Sequence, residues 1–426
     1  MNTSSKKILA VHWFRLGDMR LYDNPALVKS IQLASKDNIL PVFCFDPRFF
    51  GNEARSRLTG QLKCGPKRAQ FVLESVQDLR SNLEAKGSGL LVATGPPEKI
   101  LLQIYEKLRL TSSSAKLICQ EEVASEEQDV VRAVQKALKQ RNGPTGGKNT
   151  SPLETVWGST LYELEDLPYE YSNGLVDLPD GFTPFRNKVE KKCTIRSPLQ
   201  APKSLPFPFP KGSQERETIE SFLTYMPTLQ ELGYTSDQMQ EANQKSIGKL
   251  EFRGGETAAL ARVKDYIWTQ DRLKIYFDTR NGMLGDEYST KFSPWLAHGN
   301  VSPRYIAQEC KRYEEERVAN KSTYWVVFEL LWRDFFKFFT LKHGSNIFMA
   351  GGTVGSDKEW KHYEKNVQAW KEGKTGYPLV DANMRELAAS GFMSNRGRQN
   401  VASFLALELN QDWRYGAEYF ENILLD

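Results

Sequence analysis

The sequence predicts two parts: an N-terminal α/β domain on a doubly wound parallel sheet, and an all-α C-terminal domain. Three observations carry this. Up to about residue 157, short apolar β-rich runs alternate with amphipathic stretches, as in a chain of βαβ units. Beyond residue 215 the apolar period changes to 3.6 and stays there. Between them prolines recur at Pro179, Pro184, Pro198, Pro202, Pro206, Pro208 and Pro210, a density that excludes helix and suits an extended tether. The expected division is an α/β domain over 1–175, a linker over 176–215 and a helical domain over 216–426.

Taken in order, Ile8–Phe14 reads as a strand followed by a helix over Pro25–Ala34, and Ile39–Phe45 as a strand followed by Pro66–Ala85. In that second helix Val72, Val76, Leu79 and Leu83 repeat at helical spacing, while Lys67, Glu74, Asp78 and Arg80 point elsewhere, so one face packs on a sheet. Leu90–Thr94 with Pro97–Leu108 and Leu117–Gln120 with Ser125–Leu138 repeat the unit, and a strand near Leu153–Trp157 completes the sheet. Residues 141–151 resemble a phosphate loop but miss its glycine–lysine spacing by one residue, with Asn149 where a hydroxyl is needed, and read as a solvated insertion. Helices are expected over Thr218–Leu232, Glu256–Tyr276, Pro303–Glu316, Lys321–Lys342, Tyr377–Ser390, Arg396–Asn410 and Trp413–Leu425.

With 426 residues, 40% apolar and 12% aromatic, the chain can bury a large core. Cys44, Cys64, Cys119, Cys193 and Cys310 form no C-x-x-C pair, which argues against a disulfide framework or a zinc site and for a reducing compartment. None of His12, His298, His343 and His362 lies at i, i+4 from another, so metal-free chemistry is expected. A formal charge of +4 is only mildly basic, so a nucleic-acid partner needs a local basic face. No apolar run reaches the length of a membrane span, and the N-terminus shows no secretory segment; the chain reads as soluble and intracellular.

Three polar clusters carry candidate chemistry. In the loop from Asp278 to Tyr305, Ser289, Thr290 and Ser293 offer hydroxyls and Lys291 a charge. Ser293-Pro294 fits an N-cap followed by proline, so free backbone N–H groups are expected to face the phosphates of a cofactor; the alternative is a surface loop capping a helix. Glu329, Trp332 and Arg333, at i, i+3 and i+4, put an acid, a large ring and a guanidinium on one face able to hold a flat heterocycle. The alternative there is an intrahelical ion pair beside a core tryptophan. Ser394–Asn400 gathers amides and guanidiniums suited to bases or phosphates, or else a solvated helix start. Trp360, Trp370 and Trp413 together are more indoles than packing alone comfortably accounts for, with core or surface patching the alternative for each singly.

Together, Trp13–Asn24, Trp157–Tyr162, Phe182–Arg186, Ser289–Ala297, Phe328–Asp334, Glu372–Asp381 and Asn395–Asn400 resemble the photolyase/cryptochrome family. Gln399, where photolyases acting on duplex DNA usually carry Met, points with Trp157–Tyr162 to the DASH cryptochrome branch. The resemblance implies flavin-adenine dinucleotide (FAD) held by Tyr276, Ser289, Thr290, Lys291, Phe292 and Ser293, with Arg333 and Arg398 as a cationic wall beside the flavin and Asp426 as the partner of Arg398. It implies a pyrimidine-dimer pocket of Glu329, Trp332, Asn395 and Gln399, and electron transfer through Trp413 and Trp360, the inner tryptophan falling beyond Asp426. Glu122 resembles the carboxylate that holds a folate antenna, 5,10-methenyltetrahydrofolate.

The implied reaction is light-driven splitting of cyclobutane dimers in DNA, preferentially single-stranded, by a monomer in cytoplasm, nucleus or organelle. Repair of the (6-4) lesion is disfavoured, because no histidine lies where this chain has Ser394, Asn395 and Gln399. The rivals are a non-enzymatic blue-light receptor and an inactive truncated form.

Overall fold

The computed structural model describes residues 8–34, 37–142, 153–223, 225–243 and 250–426. The insertion expected at 141–151 lies outside the described residues beyond its first two. Five parallel strands, β1 (Leu9–Phe14), β2 (Ile39–Phe45), β3 (Leu91–Thr94), β4 (Ala115–Gln120) and β5 (Leu153–Val156), lie in the order β3-β2-β1-β4-β5. Helices α1 (Pro25–Ala34), α2 (Pro66–Glu84), α3 (Pro97–Lys107) and α4 (Ser125–Asn142) make the crossovers. Alternation along β1 divides the packing: Ala10 and Phe14 meet Leu27, Val72, Val76 and Leu79 of α1 and α2, while Val11 and Trp13 meet Leu101, Ile104 and Val134 of α3 and α4. Both faces are thus covered, which is the doubly wound arrangement the apolar pattern predicts.

The helical half follows through α5 (Phe182–Lys192), α6 (Gln214–Leu223), α7 (Ser236–Asn243), α8 (Glu256–Lys264), α9 (Tyr276–Thr279), α10 (Ser293–Ala297), α11 (Pro303–Glu316), α12 (Lys321–His343), α13 (Glu364–Lys371), α14 (Pro378–Ser390), α15 (Asn395–Ser403) and α16 (Trp413–Ile423). The longest, α12, starts at a capping box: the Asn320 side chain accepts from the N–H groups of Ser322 and Thr323, and the Thr323 hydroxyl accepts from the Asn320 N–H.

Four expectations need correction. The proline-dense stretch contains α5, because Pro184 stands in its first turn, where the missing N–H has no intrahelical acceptor to lose. The helix expected over Thr218–Leu232 ends at Leu223, four residues before Pro227, and α7 begins where none was expected. The helix expected over Glu256–Tyr276 breaks after a π turn at Asp265–Thr269, with Asp271 in the left-handed region at φ 55° and its carboxylate 2.7 Å from Arg317. The helix expected over Arg396–Asn410 likewise passes into a π turn at Phe404–Glu408 and stops at Asn410, φ 50°. Trp157, Leu161, Tyr162 and Leu175 share one core with Val263, Leu330 and Phe338, so the stretch following the sheet packs with the helices.

Buried carboxylates join the halves. Glu256 accepts from the N–H groups of Leu21 and Tyr22 at 2.9 and 2.8 Å, and Asp334 from those of Leu161 and Tyr162 at 2.9 Å each. Asp23 meets Arg304 at 2.7 Å. Close approach demands glycine here: Gly299 has φ 63°, and a Cβ there would lie 1.9 Å from the Gly17 carbonyl oxygen.

Candidate functional site

A cavity of about 1440 Å³ opens in the helical half, beyond the roughly 300–1,000 Å³ of ordinary small-ligand pockets and of a size for a dinucleotide. Its walls are Arg262 of α8 and Asp265 of the π turn; Thr279 at the end of α9; Met283, Tyr288 and Lys291 of the long loop; Asn383, Arg385 and Glu386 of α14; and Phe392. Arg262 supports the loop. Its side chain is 4% exposed and donates to the carbonyls of Thr290 at 3.1 Å and Ser289 at 3.4 Å, with Asp265 at 3.3 Å. Lys291, at φ 55°, lies over the Tyr288 ring at 4.6 Å and the Phe392 ring at 5.1 Å and donates to the Gly285 carbonyl at 3.1 Å. Burial lowers the Lys291 pKa, opposed by Asp286 and Glu386, and pushes the Tyr288 phenol up to about 12. The Tyr288 hydroxyl and one Glu287 oxygen are buried without a hydrogen-bond partner among the described residues. Unspent polar atoms beside Lys291 and Arg385, in a cavity of this volume, fit a ligand that is part anion and part polar heterocycle.

The structure separates the residues expected to hold that ligand. Lys291 lines the cavity. Ser289 and Thr290 are half-buried, and their carbonyls are turned to Arg262. Tyr276 and Phe292 flank Tyr266, at ring distances of 6.5 and 6.0 Å, inside the core and outside the lining. Ser293 is the first residue of α10 rather than its cap, and no side chain caps that helix, so the expected cradle of free N–H groups is not formed by a Ser293 cap. The serine–proline signal is realised at Ser302-Pro303, where the Ser302 hydroxyl accepts from the Arg304 N–H and starts α11.

At the rim, Glu329 accepts from Arg280 at 2.9 Å and from the Trp325 indole at 3.1 Å. Burial raises the Glu329 pKa and the Arg280 charge opposes it. The next residue, Asn281, is 2.9 Å from Arg396, which donates to Gln399 at 2.9 Å. Glu329 and Gln399 are thereby joined along one polar edge, with Asn395 exposed at the start of α15 beside them. Thr279 and Met283, on either side of Arg280 and Asn281, line the cavity.

Trp332 and Arg333 leave this edge. Their positions are about 60° and 40° to either side of Glu329 around the helix, enough for long side chains to find different neighbours. Trp332 stacks on Phe182 at 3.6 Å and 10°, and Arg333 donates to the carbonyl of Leu296 at 3.2 Å and to that of Ser159 at 2.5 Å, the latter tying α12 to the other half. The expectation that one face carries all three is corrected. Arg398 donates to the Met393 carbonyl and meets Asp426 at 2.9 Å, with Phe392 of the cavity wall 5.7 Å below its guanidinium. Trp360 and Trp413 converge, their indole N–H groups pointing at the same Ala350 carbonyl at 2.9 and 3.4 Å, whereas Trp370 is wholly buried on the Val401 carbonyl.

Glu122 stands elsewhere, in a crevice of about 160 Å³ at the carboxyl ends of β1 and β2. Lys337 holds it at 2.9 Å and the Gln120 amide at 2.7 Å. Burial works against its charge, and Lys337 and Arg15 outweigh burial, keeping the carboxyl below its usual range. Lys337 already holds the carboxylate that the resemblance assigns to a folate antenna.

Sequence reasoning missed Arg262, Glu287, Tyr288, Arg280 and Asn281. Arg262 left a signal, a cation on the same helical face as the buried Ala259, Val263 and Tyr266. The others were visible only as loop residues.

Comparison with known proteins places both halves in one class. Residues 10–205 match the family model described as DNA photolyase, and residues 325–426 match the FAD binding domain of DNA photolyase. The chain is 49% identical, over 98% of its length and 75% of the relative's, to the protein named cryptochrome DASH, chloroplastic/mitochondrial, of Ostreococcus tauri. The crystal structure of a Synechocystis cryptochrome superposes with a TM-score of 0.84 at 44% identity, covering 98% of this chain and 79% of that one. A class III photolyase from Agrobacterium tumefaciens gives a TM-score of 0.74 at 25% identity, covering 100% and 78%. The chain belongs to the photolyase/cryptochrome family, with DASH cryptochromes among its relatives. Among the described residues no helix is long and apolar enough to cross a membrane.

Proposed function

We propose that this chain is a blue-light flavoprotein that holds FAD in the large cavity and splits cyclobutane pyrimidine dimers in DNA, acting as a monomer and preferring single strands. The observation that carries the reading is the union of a dinucleotide-sized cavity with a polar rim joining Glu329 to Gln399. Bound FAD, reduced and excited by light, supplies the electron that opens the cyclobutane ring and takes it back afterwards. The chain's residues do the rest. Lys291 and Arg385 face the anionic part of the ligand, and the Arg398–Asp426 pair fixes the wall behind Phe392. Glu329, shifted toward its protonated form, donates to a dimer carbonyl, while Asn395 and Gln399 hold the base edges. Trp413 and Trp360 carry electrons toward the cavity. Extruding a dimer from its stack costs least in a single strand, which supports the preference.

The division at 1–175, 176–215 and 216–426 is the one we carry, with α5 packed on α12 from the middle segment. An organelle stands beside cytoplasm and nucleus as the compartment, since the relatives of Ostreococcus tauri and Arabidopsis thaliana are named chloroplastic/mitochondrial. The second reading is a photoreceptor using the same cavity and tryptophans; the Glu329 carboxyl favours the enzyme, because sensing needs no group on a dimer carbonyl.

Flavin absorbance of the purified chain, followed by illumination with dimer-containing single-stranded and duplex oligonucleotides, tests this. Near-stoichiometric flavin and faster dimer loss in single strands are expected. Unchanged dimer counts with intact flavin photoreduction favour the sensor, and a folded protein that stays colourless after soaking with FAD ends both readings.

A further inference from the structure

One face of α12 lies outside the cavity and meets its rim only where Trp325 donates to Glu329 and Arg280 lies over the Trp325 ring. Lys321, Tyr324, Trp325 and Phe328 recur there at i, i+3, i+4 and i+7, and Phe277 of α9 joins them. The rings form a continuous strip: Phe277 to Trp325 at 4.6 Å, Trp325 to Phe328 at 4.4 Å and Phe328 to Tyr324 at 6.1 Å. Phe277, Trp325 and Phe328 are half-buried, and Tyr324 is exposed.

Three cations lie over these rings. Lys321 is 3.5 Å above Phe277, Arg280 is 5.0 Å from the Trp325 centroid, and Arg186 of α5 is 5.6 Å from that of Phe328. The acids facing the strip are Glu329, held by Arg280, and Glu190, which accepts from the Tyr324 hydroxyl and lies 3.5 Å from Arg186. Cations therefore outnumber acids, and Lys321 has no carboxylate partner among the described residues. The strip begins at Arg280, the rim residue nearest Glu329, and runs away from the cavity toward α5.

We infer that this strip is a stacking platform for unpaired nucleotides flanking the bound lesion, with bases on Trp325, Phe328 and Tyr324 and phosphates on Lys321, Arg280 and Arg186. The juxtaposition favours nucleic acid over an acidic peptide, because a peptide carboxylate would use the cations and leave the ring faces idle. A single strand uses both: each base has a π-face that replaces a cation over a ring, and the displaced cation moves to the adjoining phosphate. Duplex bases are already stacked on each other and cannot take the ring faces. The inference rests on the nucleic-acid reading above and adds to it a second contact surface outside the lesion pocket.

The test is an anisotropy titration, in the dark, of the full 426-residue chain with dye-labelled undamaged oligothymidylate and with a duplex of equal length. Trp325→Ala should weaken single-strand binding about tenfold, the size expected for one stacking ring, and leave duplex binding unchanged. Lys321→Ala should flatten the slope of log affinity against log salt by about 0.7. Because Trp325 also packs on Phe277 and Phe328, the exposed Tyr324→Ala serves as a second variant, with circular dichroism confirming the fold. Full affinity in both ring variants, an equal loss on the duplex, or competition by oligoglutamate as strong as by oligothymidylate would overturn the inference. Full strand affinity in the strip variants with repair intact sinks this inference alone, whereas strand binding that depends on the strip, with unchanged dimer counts under light, sinks only the repair reading.

Discussion

Glu329 meets two donors, the Arg280 guanidinium and the Trp325 indole, in surroundings that favour its protonated form. Glu329→Gln preserves shape and an N–H donor, so dimer splitting should slow about tenfold, less than the roughly 10²–10⁴ of losing a full general acid, with flavin content unchanged. Repair at the wild-type rate would remove Glu329 from the role. Asp426 is the countercharge of Arg398, which lies behind Phe392 of the cavity wall. Asp426→Ala should cost about 1–3 kcal/mol and weaken flavin retention, read by urea titration and by absorbance after dialysis. The amino-acid types at these positions were legible without a structure. The Arg280 partner of Glu329 and the loop-bracing role of Arg262 were not, because each depends on atoms brought together from 20 to 50 residues away.

Helix periods predicted α2, α11, α12 and α14 closely, since each buries a continuous apolar stripe. They failed where helices break without proline. The π turns at Asp265–Thr269 and Phe404–Glu408 keep the apolar rhythm, and the following stops at Asp271 and Asn410 are left-handed residues, Asp271 held there by Tyr313 and Arg317. Pro184 misled in the opposite direction, being harmless in a first turn. Because Asn320 satisfies two N–H groups of α12, Asn320→Ala should cost about 1 kcal/mol, seen as a lower urea midpoint at unchanged m-value.

Between the halves, burial pushes Glu256 and Asp334 up to about 7, against roughly 4 in an unfolded chain, despite the pair of backbone N–H groups each one accepts. The folded state binds these protons more tightly than the unfolded state does. The stability they contribute is therefore complete below about pH 4 and is lost as pH rises through 7. Buried His12 and His298, held down to about 3, oppose this trend, so the check is the wild-type thermal midpoint minus that of Glu256→Gln, which should fall between pH 5 and pH 8; a rise in that difference would contradict the assignment. Glu256→Gln should also lower the midpoint at pH 5, since its amide nitrogen cannot accept from the Leu21 or Tyr22 N–H.

Residue order alone determined that this chain builds a covered parallel sheet followed by helices, because period and burial are local consequences of where apolar side chains recur. Its motifs also placed it in a family, and Lys291, Glu329 and Arg398 among the candidates for its site. Only tertiary structure decided that Glu329 and Gln399 share a rim, that Trp332 and Arg333 turn away from it, and that Lys337 occupies Glu122. These outcomes depend on competition among long polar side chains for partners from distant segments, and no periodicity records which partner wins.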